Sequence, residues 1–119
     1  MSLHYAAVAR GTVVLVECNL AAAGNVSLVA LSLLAKLPPS AASESRASYT
    51  AEQHVFHVQT AGGLTFLCVA DEAAGKRVPF SFLDEVQREF AARFGARAAE
   101  AAAYELSAEY SPVLKQARP

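Results

Sequence analysis

The segment that most constrains this chain is its opening, Tyr5-Ala-Ala-Val-Ala-Arg-Gly-Thr-Val-Val-Leu-Val-Glu17. Two apolar runs rich in valine flank Arg10-Gly11-Thr12, and a glycine between such runs supplies the backbone freedom of a tight turn. The pattern predicts an antiparallel hairpin built from the N-terminal residues. A helical pattern comes next, so the chain must fold as a small mixed domain of sheet and helix. Nothing in this opening is a catalytic side chain.

At 119 residues the chain makes one domain, residues 1–119, large enough for a core without metal or disulfide staples. The hydrophobic fraction of 54% is inflated by alanine. Its apolar runs, such as Val29–Ala35 with Ser32 inside, fall far short of the ~20 residues of a membrane helix. No basic stretch followed by an apolar one opens the chain, so no secretory leader is expected. A net charge of −1 gives no electrostatic reason to bind nucleic acid or anionic lipid. Cys18 and Cys68 sit in apolar, strand-like runs, which predicts buried reduced thiols in a soluble cytosolic domain.

After the hairpin, Ala21-Ala-Ala-Gly24 breaks the pattern and Asn25 stands where a helix N-cap belongs. The helix must stop by Leu37, because Pro38 and Pro39 follow. Val26, Val29, Ala30, Leu33, Leu34 and Leu37 form one apolar stripe. Leu28, Leu31 and Ala35 form a second on nearly the opposite side, with Ser27, Ser32 and Lys36 at the seams. One sheet covers one side of a helix, so the second stripe is either additional core or a docking surface. Pro38–Ser48 reads as an exposed loop. Strand signals return at Ser48–Thr50, His54–Thr60 and Leu64–Ala70, with Gly62-Gly63 as a turn and Asp71–Lys76 as another. Pro79 fits the first turn of a helix whose apolar face is Phe80, Leu83, Val86, Phe90 and Phe94, capped by Gly95. An alanine-rich helix carrying Tyr104, Leu106, Tyr110, Val113 and Leu114 closes the chain, interrupted by Pro112. The predicted class is α+β, in the order β-β-α-β-β-β-α-α. Five antiparallel strands carry one helix on one face and two on the other.

No catalytic constellation emerges. His54 and His57 are three apart in a strand and point to opposite faces, and His4 lies on another strand, so no metal site is expected. No nucleophile elbow or phosphate-cradling glycine loop occurs, and no cofactor is expected. Asp71-Glu72 and Asp84-Glu85 are adjacent pairs that diverge, which suits a solvated turn and helix surface rather than acid–base work. The residues point to no enzyme.

Taken together, several segments resemble the longin domain, the N-terminal regulatory domain of long vesicle-associated membrane proteins, which are R-SNAREs. They are Val8–Glu17, Gly24-Asn25, Leu34-Ala-Lys-Leu-Pro38, Tyr49, His54-x-Phe56, Phe66–Asp71, Gly75-Lys-Arg-Val-Pro79, Phe82-Leu83, Phe90–Gly95, Glu109-Tyr110 and Leu114. The resemblance implies a profilin-like fold without catalytic activity. It implies partners in the chain's own or a cognate SNARE coiled-coil helix and in trafficking adaptors or tethers, with no nucleic acid and no membrane insertion by this segment. It implies a groove between the first helix and third strand, here Leu28, Leu31, Ser32 and Ala35 facing Ala47, Ser48, Tyr49 and Thr50. The implied location is cytoplasmic, on the cytosolic face of a vesicle, endosomal or plasma membrane. Two departures stand out: Ala47 where the family carries a bulky apolar residue, and Pro112 inside the last helix. The sequence holds neither a SNARE helix nor an anchor, so the expectation is an excised domain. The alternatives are a stand-alone longin-fold adaptor or tether and, less well matched to a chain without Trp, a polyproline or actin binder.

Overall fold

The computed structural model describes residues 3–19, 26–36, 45–51 and 53–117. Strand β1 (Leu3–Arg10) turns at Gly11-Thr12 into β2 (Val13–Asn19), with Gly11 at a φ of +63° that disfavours any other residue. Helix α1 (Val26–Lys36) precedes β3 (Ser45–Ala51), β4 (His54–Ala61) and β5 (Leu64–Asp71). A 3-10 turn at Glu72–Ala74 leads into α2 (Arg77–Phe94), a second 3-10 segment spans Gly95–Ala99, and α3 (Ser107–Ala117) closes the chain. The order is the one the sequence predicts.

The strands form one antiparallel sheet in the order β2-β1-β5-β4-β3. Alternation along each strand divides its side chains between two layers of core. Val8, Phe66 and Cys68 pack against α2 and α3, whereas Tyr5, Ala7, Leu67 and Val69 pack under α1. Central strands buried on both faces need near-continuous apolar sequence, which is why β1 and β5 lack clean polar alternation. The larger layer centres on Phe90, fully buried, with Phe66, Phe94 and Tyr110 around it at ring-centroid distances of 4.8–6.0 Å. Leu83, Val86, Phe90 and Phe94 are buried as the helical spacing predicts, and Phe80 sits half-buried at the margin. Pro79 is the third residue of α2, where a missing N–H leaves no bond unmade.

Four expectations change. Strand β3 begins at Ser45, inside the stretch read as loop, because pairing with β4 imposes strand geometry on a sequence of little intrinsic preference. The alanine-rich segment is a 3-10 turn followed by irregular chain, and α3 starts only at Ser107. Tyr104 lies outside the helix, 45% exposed with a φ of +62°. Pro112 does not interrupt α3: Leu106, Tyr110 and Leu114 are buried on one side of it and hold the helix through the missing hydrogen bond. The expected break at Ala21–Gly24, the Asn25 cap, the stop at Leu37-Pro38 and the first part of the following loop lie outside the described residues.

The two sheet edges are treated differently. At β2 the Tyr104 amide donates to the Val14 carbonyl (2.7 Å), and Ser107 Oγ bridges the Glu17 amide and carbonyl (3.4 and 3.3 Å). Arg10 fixes this cover, its guanidinium donating to the Ala98 and Ala101 carbonyls at 2.6 and 2.9 Å. Among the described residues β3 pairs with β4 alone, so its outer backbone groups have no strand partner.

Candidate functional site

Helix α1 sits on its sheet face by Val26, Ala30 and Leu34, all buried, with Val29 and Leu33 packed beside them. The remaining circumference divides the predicted second stripe. Leu28 is 66% exposed, Ser32 and Ala35 are exposed, and Leu31 is half-buried against the core. A leucine so exposed on a helix without a charged residue before Lys36 gives the chain an apolar outer surface there.

Strand β3 carries the other four expected groove residues, and its register decides which of them share the sheet face that α1 covers. Ala47 and Tyr49 lie opposite Val58 and Phe56, both members of the layer beneath α1, so these two side chains share that face. Tyr49 is 38% exposed and Ala47 half-buried. Ser48 and Thr50, expected as groove residues, point to the opposite face.

The opposite face of β3 is fastened to the body of the domain. Arg46 donates through Nε to Gln59 Oε1 (2.8 Å) and through a terminal nitrogen to Asp84 Oδ1 (2.6 Å). Gln59 Nε2 donates in turn to Asp84 Oδ1 and Gln87 Oε1 (3.0 and 2.6 Å). These residues and Ser45 line a polar cavity of ≈ 320 Å³. The Arg46 guanidinium also lies 5.3 Å from the Phe80 ring centre. Hydrogen bonds from Arg46 and Gln59 keep the Asp84 carboxyl below its usual range, outweighing its desolvation. Asp84 is therefore a tether, not the free helix-surface charge the sequence suggested. Ser48 Oγ lies 2.9 Å from His57 Nδ1, and the buried His57 ring stands edge-on to Phe80. Burial, then the Lys76 charge, lowers the His57 pKa and favours the neutral imidazole.

Arg46 and Ser48 thus hold the strand from the face opposite α1, while Ala47 and Tyr49 lie on the face that α1 covers. Sequence reasoning missed the Arg46–Gln59–Asp84 knot, because its members come from three elements. The one available signal was an arginine among the small residues Ser45 to Ser48.

The histidines behave partly as expected. His54 and His57 do lie on opposite faces, with His54 in register with Phe56 and His57 against α2. His4, however, is not isolated on its strand: its Nε2 lies 2.7 Å from Asp71 Oδ1, and its ring meets that of His54 edge-on at 4.8 Å. The cause is sheet order, since β1 and β4 both flank β5.

A family model described as a longin, regulated-SNARE-like domain matches residues 15–114. The chain is 45% identical over 116 residues to vesicle-associated membrane protein 712 of Arabidopsis thaliana, covering 98% of this chain and 52% of that protein. It is 39% identical over 116 residues to vesicle-associated membrane protein 721 of the same plant, covering 97% and 51%. Vesicle-associated membrane protein 7B of Dictyostelium discoideum is 36% identical over 115 residues, covering 97% of this chain and 43% of that protein. The chain spans about half the length of the curated relatives it matches.

Proposed function

This chain belongs to the longin family of regulated-SNARE-like domains, and from that premise we propose that it is the regulatory module of an R-SNARE in vesicle trafficking and membrane fusion. The module works by protein–protein contact. Its α1–β3 surface takes a SNARE coiled-coil helix, its own or a cognate one, and trafficking adaptors or tethers compete for the same place. It acts on the cytosolic face of a vesicle, endosomal or plasma membrane.

The observation that carries this reading is Leu28, two-thirds exposed on α1, together with a β3 edge that has no strand partner among the described residues. An amphipathic partner would cover Leu28, the accessible part of Leu31 and the Tyr49 ring, while an extended one could add hydrogen bonds along β3. Covering about 200 Å² of apolar surface is worth about 5 kcal/mol gross at 25 cal/mol per Å². Ordering the partner removes much of that, which suits a contact that must release. Ala47 keeps the strand wall low and places more of the binding energy on the helix.

Calorimetric titration with a synthetic R-SNARE coiled-coil peptide tests the proposal. Leu28→Asp should weaken binding by about tenfold or more, since a carboxylate would be buried against apolar anchors, while the melting temperature stays within a few degrees. Binding equal to the parent would place docking elsewhere, and loss of the fold would show that Leu28 belongs to the core.

A further inference from the structure

At one end of the sheet, three adjacent strands each contribute a metal-ligating side chain to one spot. His4 comes from β1, Asp71 is the last residue of the central strand β5, and His54 is the first of β4. His54 and Asp71 are direct cross-strand partners. His4 joins them because the β1–β5 register slips between Leu3 and Tyr5: Leu3 pairs with Ala70 and Tyr5 with Val69, leaving His4 as the extra residue of a bulge. Bulges re-aim side chains in this way and concentrate at functional sites. One nitrogen from each imidazole and one Asp71 oxygen all lie within 4.8 Å of one another.

We propose that His4, His54 and Asp71 bind one divalent transition ion of the zinc class, with water completing the coordination. Two imidazoles and one carboxylate suit Zn²⁺ and its neighbours, whereas Mg²⁺ and Ca²⁺ prefer all-oxygen shells. Three protein ligands with an open position form a complete set for zinc. The present contacts do not saturate the cluster: Nδ1 of both His4 and His54 is buried without a hydrogen-bond partner. A tetrahedral ion with bonds of about 2.0 Å needs ligand atoms roughly 3.3 Å apart. His4 Nε2 and Asp71 Oδ1 must therefore open from 2.7 Å, and the widest pair must close from 4.8 Å by about 1.5 Å. Asp71 is about half exposed, and its carboxylate can turn to allow this. A ring nitrogen that binds the ion must be free of its proton, so the ion competes with protons for the site. The ion would tie β1, β5 and β4 together beside the β3–β4 turn.

The chain has three histidines, which makes the test clean. Untagged protein labelled with ¹⁵N in its imidazoles is titrated with Zn²⁺ at neutral pH, and the NMR signals of all three rings are followed. The proposal expects His4 and His54 to shift together, saturating at one ion per chain, while the buried His57 stays still. Co²⁺ should give the visible bands of a tetrahedral site. His54→Ala and the isosteric, surface-placed Asp71→Asn should each weaken Zn²⁺ binding by about tenfold or more with the circular dichroism spectrum unchanged. Unshifted His4 and His54 signals at millimolar Zn²⁺ would overturn the proposal, and so would Asp71→Asn binding as tightly as the parent.

Discussion

Arg10→Ala should loosen the whole C-terminal cover of the sheet, although Arg10 lies at the other end of the sequence. Its guanidinium holds the Ala98 and Ala101 carbonyls at 2.6 and 2.9 Å, and the same stretch leads to Tyr104, whose amide closes the β2 edge. A hydrogen bond from a charged donor is worth about 1.5–3 kcal/mol net when the site is dry. Arg10 is half-buried, so water replaces part of each bond and the lower figure applies. Two bonds with water taking up part of each then amount to about 2–3 kcal/mol. At about 2.1 cal/mol/K per residue, a domain of this size has an unfolding entropy near 0.25 kcal/mol/K, so the melting temperature should fall by about 8–12 °C. Arg10→Lys, with a compact charge in place of a fork, should lose roughly half as much. Urea unfolding followed by circular dichroism gives the energy, and an unchanged m-value would keep it a statement about the folded state. Hydrogen exchange at the Tyr104 amide reads the local consequence and should accelerate. An Arg10→Ala variant within about 0.5 kcal/mol of the parent, with Tyr104 protection intact, would refute the reasoning.

Three further predictions rest on individual side chains. Because burial lowers the His57 pKa below its ordinary value of 6.5, the unfolded chain takes up a proton that the folded chain refuses. Stability from this group is therefore complete above about pH 6.5 and declines as pH falls beneath it; His57→Gln should flatten the slope, and parallel pH profiles would contradict this. Phe90→Ala removes the centre of an aromatic group of four and should cost about 4 kcal/mol by urea unfolding, against about 1–2 kcal/mol for the half-buried Phe80→Ala. Pro112 is exposed within α3, so Pro112→Ala restores a backbone hydrogen bond and should stabilise by about 1–2 kcal/mol; destabilisation would show that the ring is needed.

Local pattern made most of the fold legible. Gly11 and Gly62-Gly63 marked the hairpins correctly because a positive φ is a property of single residues. The Leu83–Val86–Phe90–Phe94 face was readable because helical periodicity is likewise local. What escaped notice depends on distant partners. Ser45-Arg46-Ala47 has no strand signal of its own and is extended because β4 lies beside it. The alanines after Gly95 favour helix, yet Arg10 and the β2 edge hold that segment in 3-10 and irregular geometry. Of the eight groove residues that the resemblance implied, Leu28, Leu31 and Ala35 were also marked by helical periodicity, and Leu28 is the most exposed of them. The strand four could not be sorted into faces until pairing with β4 fixed the register, which turned Ser48 and Thr50 away. The approach of His4 to His54 through β5 required both sheet order and a bulge, neither of which is written in spacing.

The claim that most needs a direct test is that the outer face of α1 and the outer edge of β3 form one docking surface. Titrating the ¹⁵N- and methyl-labelled domain with an R-SNARE coiled-coil peptide, and mapping the NMR shifts, addresses it at residue level. The account predicts shifts at the Leu28 and Leu31 methyls, at the Ala35 methyl and along the Ala47–Thr50 amides, with the Phe90 surroundings unmoved. Shifts confined to the Arg46–Gln59–Asp84 face, or saturable binding that leaves Leu28 and β3 unchanged, would contradict it.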